Sequence, residues 1–222
     1  MAKCDIVKVV TIFPYYSYGW LIPNRSVSHV AVKEGKKMDA FIAPPAKIPF
    51  YLRLGIWISK KVTGRDLLPA RLLAWYPRAA VGSGVLEAMV AHSDGSLDER
   101  MLKIVRIQAS YAAACTFCID MNSFHYAENQ ITQDELMALQ GRKPIDEVAT
   151  FSDRERLALQ YASLISQTPL HFPRPFIDDL KHQFTEREIV ILATTAAQVN
   201  YWARLIQALG VPPAGFTNQC DL

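Results

Sequence analysis

Four Ser/Thr-x-x-Glu patterns occur in this chain: Ser96-x-x-Glu99, Thr132-x-x-Glu135, Ser152-x-x-Glu155 and Thr185-x-x-Glu188. In such a box the hydroxyl accepts a free N–H of the first helical turn and the glutamate reaches back to the capping residue, so the pattern marks a helix start. Each box opens an apolar run at helical spacing. The first leads to Met101, Ile104 and Val105. The second leads to Leu136 and Leu139 and stops at Gly141. The third leads to Leu157, Tyr161, Leu164 and Ile165. The fourth runs through Leu192, Ala196 and Val199 to Leu209, before Gly210 and Pro212-Pro213. One box arises easily by chance; four, each followed by a periodic stripe, predict an all-α domain. Upstream, one helix closes at Val62-Thr63-Gly64 and a second runs from Leu67 to Trp75 and ends before Pro77. A third is predicted from Val85 to His92, after Gly82-Ser83-Gly84. Pro173-Arg174-Pro175 reads as a rigid loop leading into Phe176.

Residues 1–48 have a different texture. Pro14, Pro23, Pro44 and Pro45 break any long helix, and Tyr15, Tyr16, Tyr18 and Trp20 cluster among them. Aromatics favour burial, so an ordered arm lying over the core or a neighbouring subunit is expected, with the helical domain spanning 49–222. Half of the 222 residues are apolar and a fifth are charged, which suffices for a sizeable core. The net charge of +3 is small and interleaved, so no nucleic-acid partner is expected. No apolar run reaches the ~18 residues of a spanning helix. The stretch from Ile48 to Val62 is interrupted by Arg53, Lys60 and Lys61. No membrane partner and no signal peptide are expected, and the default location is cytoplasmic.

The four cysteines are Cys4, Cys115, Cys118 and Cys220. Two form a CxxC pair, and at i, i+3 they share one face of a helix. At a helix N-terminus the dipole favours the thiolate, the reactive form. One thiolate can then attack an oxidant, and the other can resolve the sulfenic acid into a disulfide. The plainer alternative is that small cysteines after Ala112-Ala113-Ala114 let helices pack closely. A zinc site needs about two further ligands, and His29, His92, His171 and His182 are scattered singles. No metal and no organic cofactor are expected. Tyr111 could line the pair or pack in the core. Lys103 reads as a solvated side chain, Asp120 as a structural carboxylate, Asn200 as a polar contact inside the bundle and Arg204 as an ion-pair partner. Trp57, Trp75, Tyr76 and Trp202 read as core or subunit-interface aromatics.

Arg100 through Cys118, the run Cys-Thr-Phe-Cys-Ile-Asp-Met-Asn-Ser, and Phe151-Ser152-Asp153-Arg154-Glu155-Arg156 with Ala158 and Tyr161 resemble the AhpD-like (alkylhydroperoxidase-like) branch of the carboxymuconolactone decarboxylase family. Ala197, Asn200 and Arg204 before Ala208-Leu209-Gly210 are similar to that family's closing helix. The resemblance covers roughly residues 60–212. It implies an all-α, AhpD-like helical bundle, trimeric or hexameric assembly, and thiol-dependent peroxide reduction, with a small peroxide or other oxidant as substrate and an external thiol as reductant. By the resemblance, Cys118 attacks and Cys115 resolves; His125, the nearest histidine downstream, reads as a candidate acid/base or as a helix-packing residue. The family's peroxidase pattern has a glutamate twelve residues before the first cysteine and a histidine four after the second; here those positions are Lys103 and Asn122. Two other activities are compatible with the resemblance: a decarboxylase-like enzyme acting on a small acid or lactone, and a non-catalytic oligomeric member.

Overall fold

The computed structural model describes residues 40–217. The expected arm thus lies, up to residue 39, outside the described residues, as do Cys4, Cys220 and the aromatics Tyr15 to Trp20. Residues 40–48 are irregular; the Phe41 amide donates to the Leu209 carbonyl (2.9 Å) and the Trp75 indole to the Ala43 carbonyl (2.8 Å).

The described chain is helical throughout, with no strand among the described residues. It runs α1 (Phe50–Thr63), α2 (Leu68–Leu72), α3 (Pro77–Ala88), α4 (Glu99–Ala112), α5 (Thr116–Ser123), α6 (Gln133–Leu139), α7 (Asp153–Ile165), α8 (Arg174–Gln183) and α9 (Glu186–Ala208). Short 3₁₀ turns lie at Leu73–Trp75, Tyr126–Asn129 and Ile145–Glu147. α1 stops where expected, at Gly64 in the left-handed region (φ 71°). α6, α7 and α9 each begin with both halves of the capping box formed.

The second helix runs as expected, α2 continuing through a 3₁₀ turn to Trp75, but four other expectations need correction. α4 is capped by Asp98, which accepts from the Met101 amide (2.7 Å), while Ser96 turns away to bond Glu188. Asp98 sits one residue before Glu99 and offers a carboxylate to the positive helix end, so it outcompetes the hydroxyl. α3 starts at Pro77, where a proline is tolerated in the first turn, and runs straight through Gly82 and Gly84. Pro173 and Pro175 do not form a loop; they open α8, whose buried Phe176 and Leu180 lie one turn apart. Trp57, Trp75 and Tyr76 are not in the core of this chain, being 55–62% exposed.

α4, α7 and α9 pack against one another and form the centre. Leu102, Ile104 and Ile107 of α4, Leu159 of α7 and Leu192 and Ala196 of α9 are all buried there. α9 is long and apolar enough to cross a membrane by length and composition. Its Leu192, Ala196, Val199, Ala203 and Ile206 are nonetheless core residues of this bundle. The helix links two apolar clusters: its first half enters the main core, while Ala203 and Ile206 enter a second one built around the cysteines.

Candidate functional site

The local chain path decides how the cysteines are presented. α4 ends at Ala112, and Ala114 takes a left-handed conformation (φ 49°). The Ala114 amide donates to the Tyr111 carbonyl (2.9 Å) and the Cys115 amide to the Ser110 carbonyl (3.2 Å). This turn starts a new helix, so the pair does not sit mid-helix. Cys115 is the N-cap of α5, in extended backbone, and Cys118 lies in the first turn. The Cys118 amide donates to Cys115 Sγ (3.2 Å). The two residues form a disulfide, with Cα atoms 5.2 Å apart. Sulfur at an N-cap receives the free amides and the positive end of the helix dipole, the setting that stabilises a thiolate.

Both cysteines are buried, Cys115 at 0% and Cys118 at 2% exposure. Leu72, Phe117, Ala203, Ile206 and Val211 cluster with them, and Leu67, Leu68 and Ala214 pack on that group. The polypeptide beyond α9 is therefore part of the wall. Asp120 holds it there. One carboxylate oxygen accepts from the amides of Gly215 (2.7 Å) and Phe216 (3.1 Å), the other from the Thr217 amide (2.8 Å) and hydroxyl (2.9 Å). Asp120 is thus a structural carboxylate, and its four donors account for its near-complete burial.

The positions that depart from the peroxidase pattern have other work. The Asn122 amide donates to Ser110 Oγ (2.9 Å), which donates to the Arg106 carbonyl (2.7 Å), so α5 is fastened to α4 beside the cysteines. Lys103 is not a solvated side chain: it is half-buried and its ammonium donates to the Phe124 carbonyl at the end of α5 (2.8 Å). Burial, then the charge of Arg106, pull its pKa from 10.5 down to about 8, with Glu128 opposing them.

α5 ends at Ser123, before His125, and the backbone of His125 is left-handed (φ 55°). His125 therefore does not lie on the helix that carries Cys118. The imidazole is half-exposed, with Nδ1 against a Glu128 carboxylate oxygen and the ring packed edge-on against Phe124, 3.7 Å between centroids. Tyr111 lines a cleft of about 510 Å³ beside the end of α4, together with Gln140 and Lys143. Burial raises the pKa of its hydroxyl, and the nearby Gln140 and Ser123 side chains oppose that shift. Asn200 makes its expected internal contacts, to Ser166 Oγ and the Ala196 carbonyl (both 2.9 Å). Arg204 bonds the Thr168 hydroxyl (3.3 Å) rather than a carboxylate. Among the described residues no three His, Cys, Asp or Glu side chains gather as metal ligands.

The sequence does not announce Ser110 or the 211–217 segment as neighbours of the pair. A polar serine within the apolar stripe of α4 was the only sequence signal for the first.

Comparison with solved structures places the chain in the all-α AhpD-like fold. The AhpD-core, peroxidase-related protein from Ralstonia eutropha JMP134 superposes with TM-score 0.69 at 16% identity, covering 85% of this chain and 99% of that one. The debrominase Bmp8, as a cysteine-to-alanine variant in complex with 2,3,4-tribromopyrrole, gives 0.68 at 17% identity, covering 80% and 95%. Among curated proteins, the uncharacterised YnjA of Escherichia coli (strain K12) is 28% identical over 179 residues, 78% of this chain and 94% of that protein. YdfG of Bacillus subtilis (strain 168) is 23% identical over 140 residues, 62% and 93% of the two chains. No protein-family model matches the sequence.

Proposed function

We propose that this protein is a thiol-dependent oxidoreductase that passes two electrons through Cys115 and Cys118, with a small peroxide as substrate. The observation that carries the reading is the closed Cys115–Cys118 disulfide at the N-terminus of α5. The peroxidase-related neighbour of the same fold supports the choice of oxidant.

In the proposed cycle the Cys118 thiolate attacks the distal peroxide oxygen. An S–O bond forms, the O–O bond breaks, and the alkoxide leaves and takes a proton. Cys115 then attacks the Cys118 sulfenic acid, and hydroxide departs as water with a second proton. The N-cap position suits Cys115 to this second step, because the amide that bonds its sulfur stabilises the thiolate. An external thiol next attacks Cys118, expelling Cys115 as the better-stabilised leaving group, and a second thiol frees Cys118. His125, oriented by Glu128, enters as the proton donor to the alkoxide. A reducing, cytoplasmic setting fits this cycle, as does a homo-oligomer, trimer or hexamer, with the exposed Val81, Val85 and Met89 available for contact.

The test is to reduce the purified protein, add tert-butyl hydroperoxide and follow both thiols by mass spectrometry. Conversion to the disulfide is expected, with loss of turnover in Cys118→Ser and trapped sulfenic acid in Cys115→Ser. Cysteines that stay reduced, or turnover that survives Cys118→Ser, sink the proposal. An unchanged rate in His125→Asn removes His125 from it.

A second reading has the Lys103 and Asn122 replacements and the debrominase neighbour in its favour. In it the dithiol reduces a small haloaromatic, becoming the disulfide as the carbon–halogen bond is replaced by carbon–hydrogen and hydrogen halide is released. Halide release from a bromopyrrole, without peroxide consumption, would select it.

A further inference from the structure

Helix α1 is attached to the rest of the bundle along one narrow stripe. Leu52 is buried, and Ile56, Ser59 and Thr63 on the same side are half-buried. The opposite arc is apolar and open. Phe50, Tyr51, Leu54, Trp57, Ile58 and Val62 are all exposed, Phe50 by 78% and Val62 by 81%. At helical periodicity these six fall within an arc of about 140°. An ordinary surface helix hides such an arc; this one presents it, so something else covers it.

The charges say what. From Phe41 to Arg65 the chain carries Lys47, Arg53, Lys60, Lys61 and Arg65, and no Asp or Glu. Arg53 and Lys60 border the apolar arc, and Lys61 lies on it with its ammonium 5.8 Å from the Trp57 ring. A second copy docking this same face across a two-fold axis would set cation against cation, with no carboxylate on the face to answer them. Residues 1–39 are no better suited, because Lys3, Lys8, Arg25, Lys33, Lys36 and Lys37 outnumber Asp5, Glu34 and Asp39. A lipid surface with anionic headgroups matches both properties. The rings and aliphatic side chains enter the acyl boundary, and the flanking cations meet phosphate. Lys61 can lay its stem along Trp57 while its ammonium reaches the headgroups.

We propose that α1 docks the protein, lying in the plane of the interface, onto bilayers rich in anionic phospholipid. The expectation of no membrane partner rested on the absence of a spanning run. The three charges that interrupt Ile48–Val62 are the ones that suit the helix to lie on a bilayer instead of crossing it. The inference does not depend on the chemistry of the cysteine pair.

The test uses the full chain, sedimented with vesicles of phosphatidylcholine alone and of phosphatidylcholine with phosphatidylglycerol. Binding only to the anionic vesicles, weakened by salt, is expected. The double variant Lys60→Glu/Lys61→Glu and the single variant Trp57→Glu should each lower the partition coefficient about tenfold or more. All three side chains are exposed, so unchanged circular dichroism and thermal unfolding should accompany the loss. A wild-type chain that does not favour anionic vesicles, or variants that bind as wild type, overturns the proposal. So does a Trp57→Glu variant that splits an oligomer in light scattering while the wild type ignores vesicles, since the face is then a contact between copies.

Discussion

An ammonium group held out of water is a cost that depends on pH, and Lys103 carries such a cost. Its folded pKa of about 8 lies below the ordinary 10.5, chiefly through burial. Below pH 8 it is charged in both the folded and unfolded chain, and the folded state bears the whole penalty. As pH rises from 8 to 10.5 the folded form sheds the proton while the unfolded form keeps it, so this residue's contribution to stability improves across that window. Urea unfolding of wild type and Lys103→Gln at about pH 7 and pH 10 should show the wild type gaining relative to the variant. A constant difference between them would refute this. Ala114 carries a different cost, a Cβ in the left-handed region (φ 49°). Ala114→Gly should stabilise by up to about 1 kcal/mol, the gain partly offset by glycine's unfolded-state entropy. Ala114→Val should destabilise by more than that, because a branched side chain is worse there. This residue also shows why the sequence leaves open whether the helix breaks before Cys115. No Gly or Pro announces a break between Ser110 and Cys118, and an alanine run reads as continuous helix. The turn is held instead by backbone bonds to Tyr111 and Ser110, which no local propensity encodes.

At the scale of elements, the capping boxes do more than start helices. Glu135 and Glu155, the box glutamates of α6 and α7, both reach Arg100 on α4, at 2.6 and 2.7 Å. Glu188, from the box of α9, takes Arg154 of α7 at 2.6 Å. Each glutamate therefore caps its own helix and ties it to another. Burial alone would raise the Glu135 carboxyl, but hydrogen bonds from Arg100, Thr150 and the Thr132 amide, with the Arg100 charge, bring it down to about 2. A lowered carboxylate contributes stability that is complete above its unfolded value near 4.5 and is lost as pH falls through about 2. Glu135→Gln should cost about 3 kcal/mol, because Arg100 keeps its charge and loses one of two carboxylates. The variant should also lose part of the wild type's acid sensitivity below pH 4.5. The fourth box separates pattern from fact: Asp98→Ala should cost about 1 kcal/mol as a true cap. Ser96→Ala should leave α4 intact and remove only the Ser96 hydroxyl's contacts with Glu188 and Arg154. The three formed boxes were legible because capping is a local interaction, readable within four residues. The partners of their glutamates were not, since Arg100 meets them only once three helices are packed.

For the whole molecule, the fold class could be read from hydrophobic period and helix punctuation. The enclosure of the cysteines could not. It depends on α2 and on the continuous stretch from the end of α9 through residues 211–217, two parts of the chain that converge on the cysteines from opposite sides in sequence. Asp120→Ala should free that segment, lower stability, and speed reduction of the Cys115–Cys118 disulfide by dithiothreitol severalfold. An unchanged reduction rate would mean that the wall over the disulfide does not rely on the Asp120 clasp. The clasp has a further consequence during synthesis. Its donors lie 95 to 97 residues beyond Asp120, so the carboxylate has none of them until residue 215 has been made. While a nascent chain is still growing, Cys115 and Cys118 lack their final cover and are open to exchange with other thiols. Sealing of the redox pair thus has to wait for residues 215–217, and a chain cut short before them leaves the pair chemically more open than one that carries them.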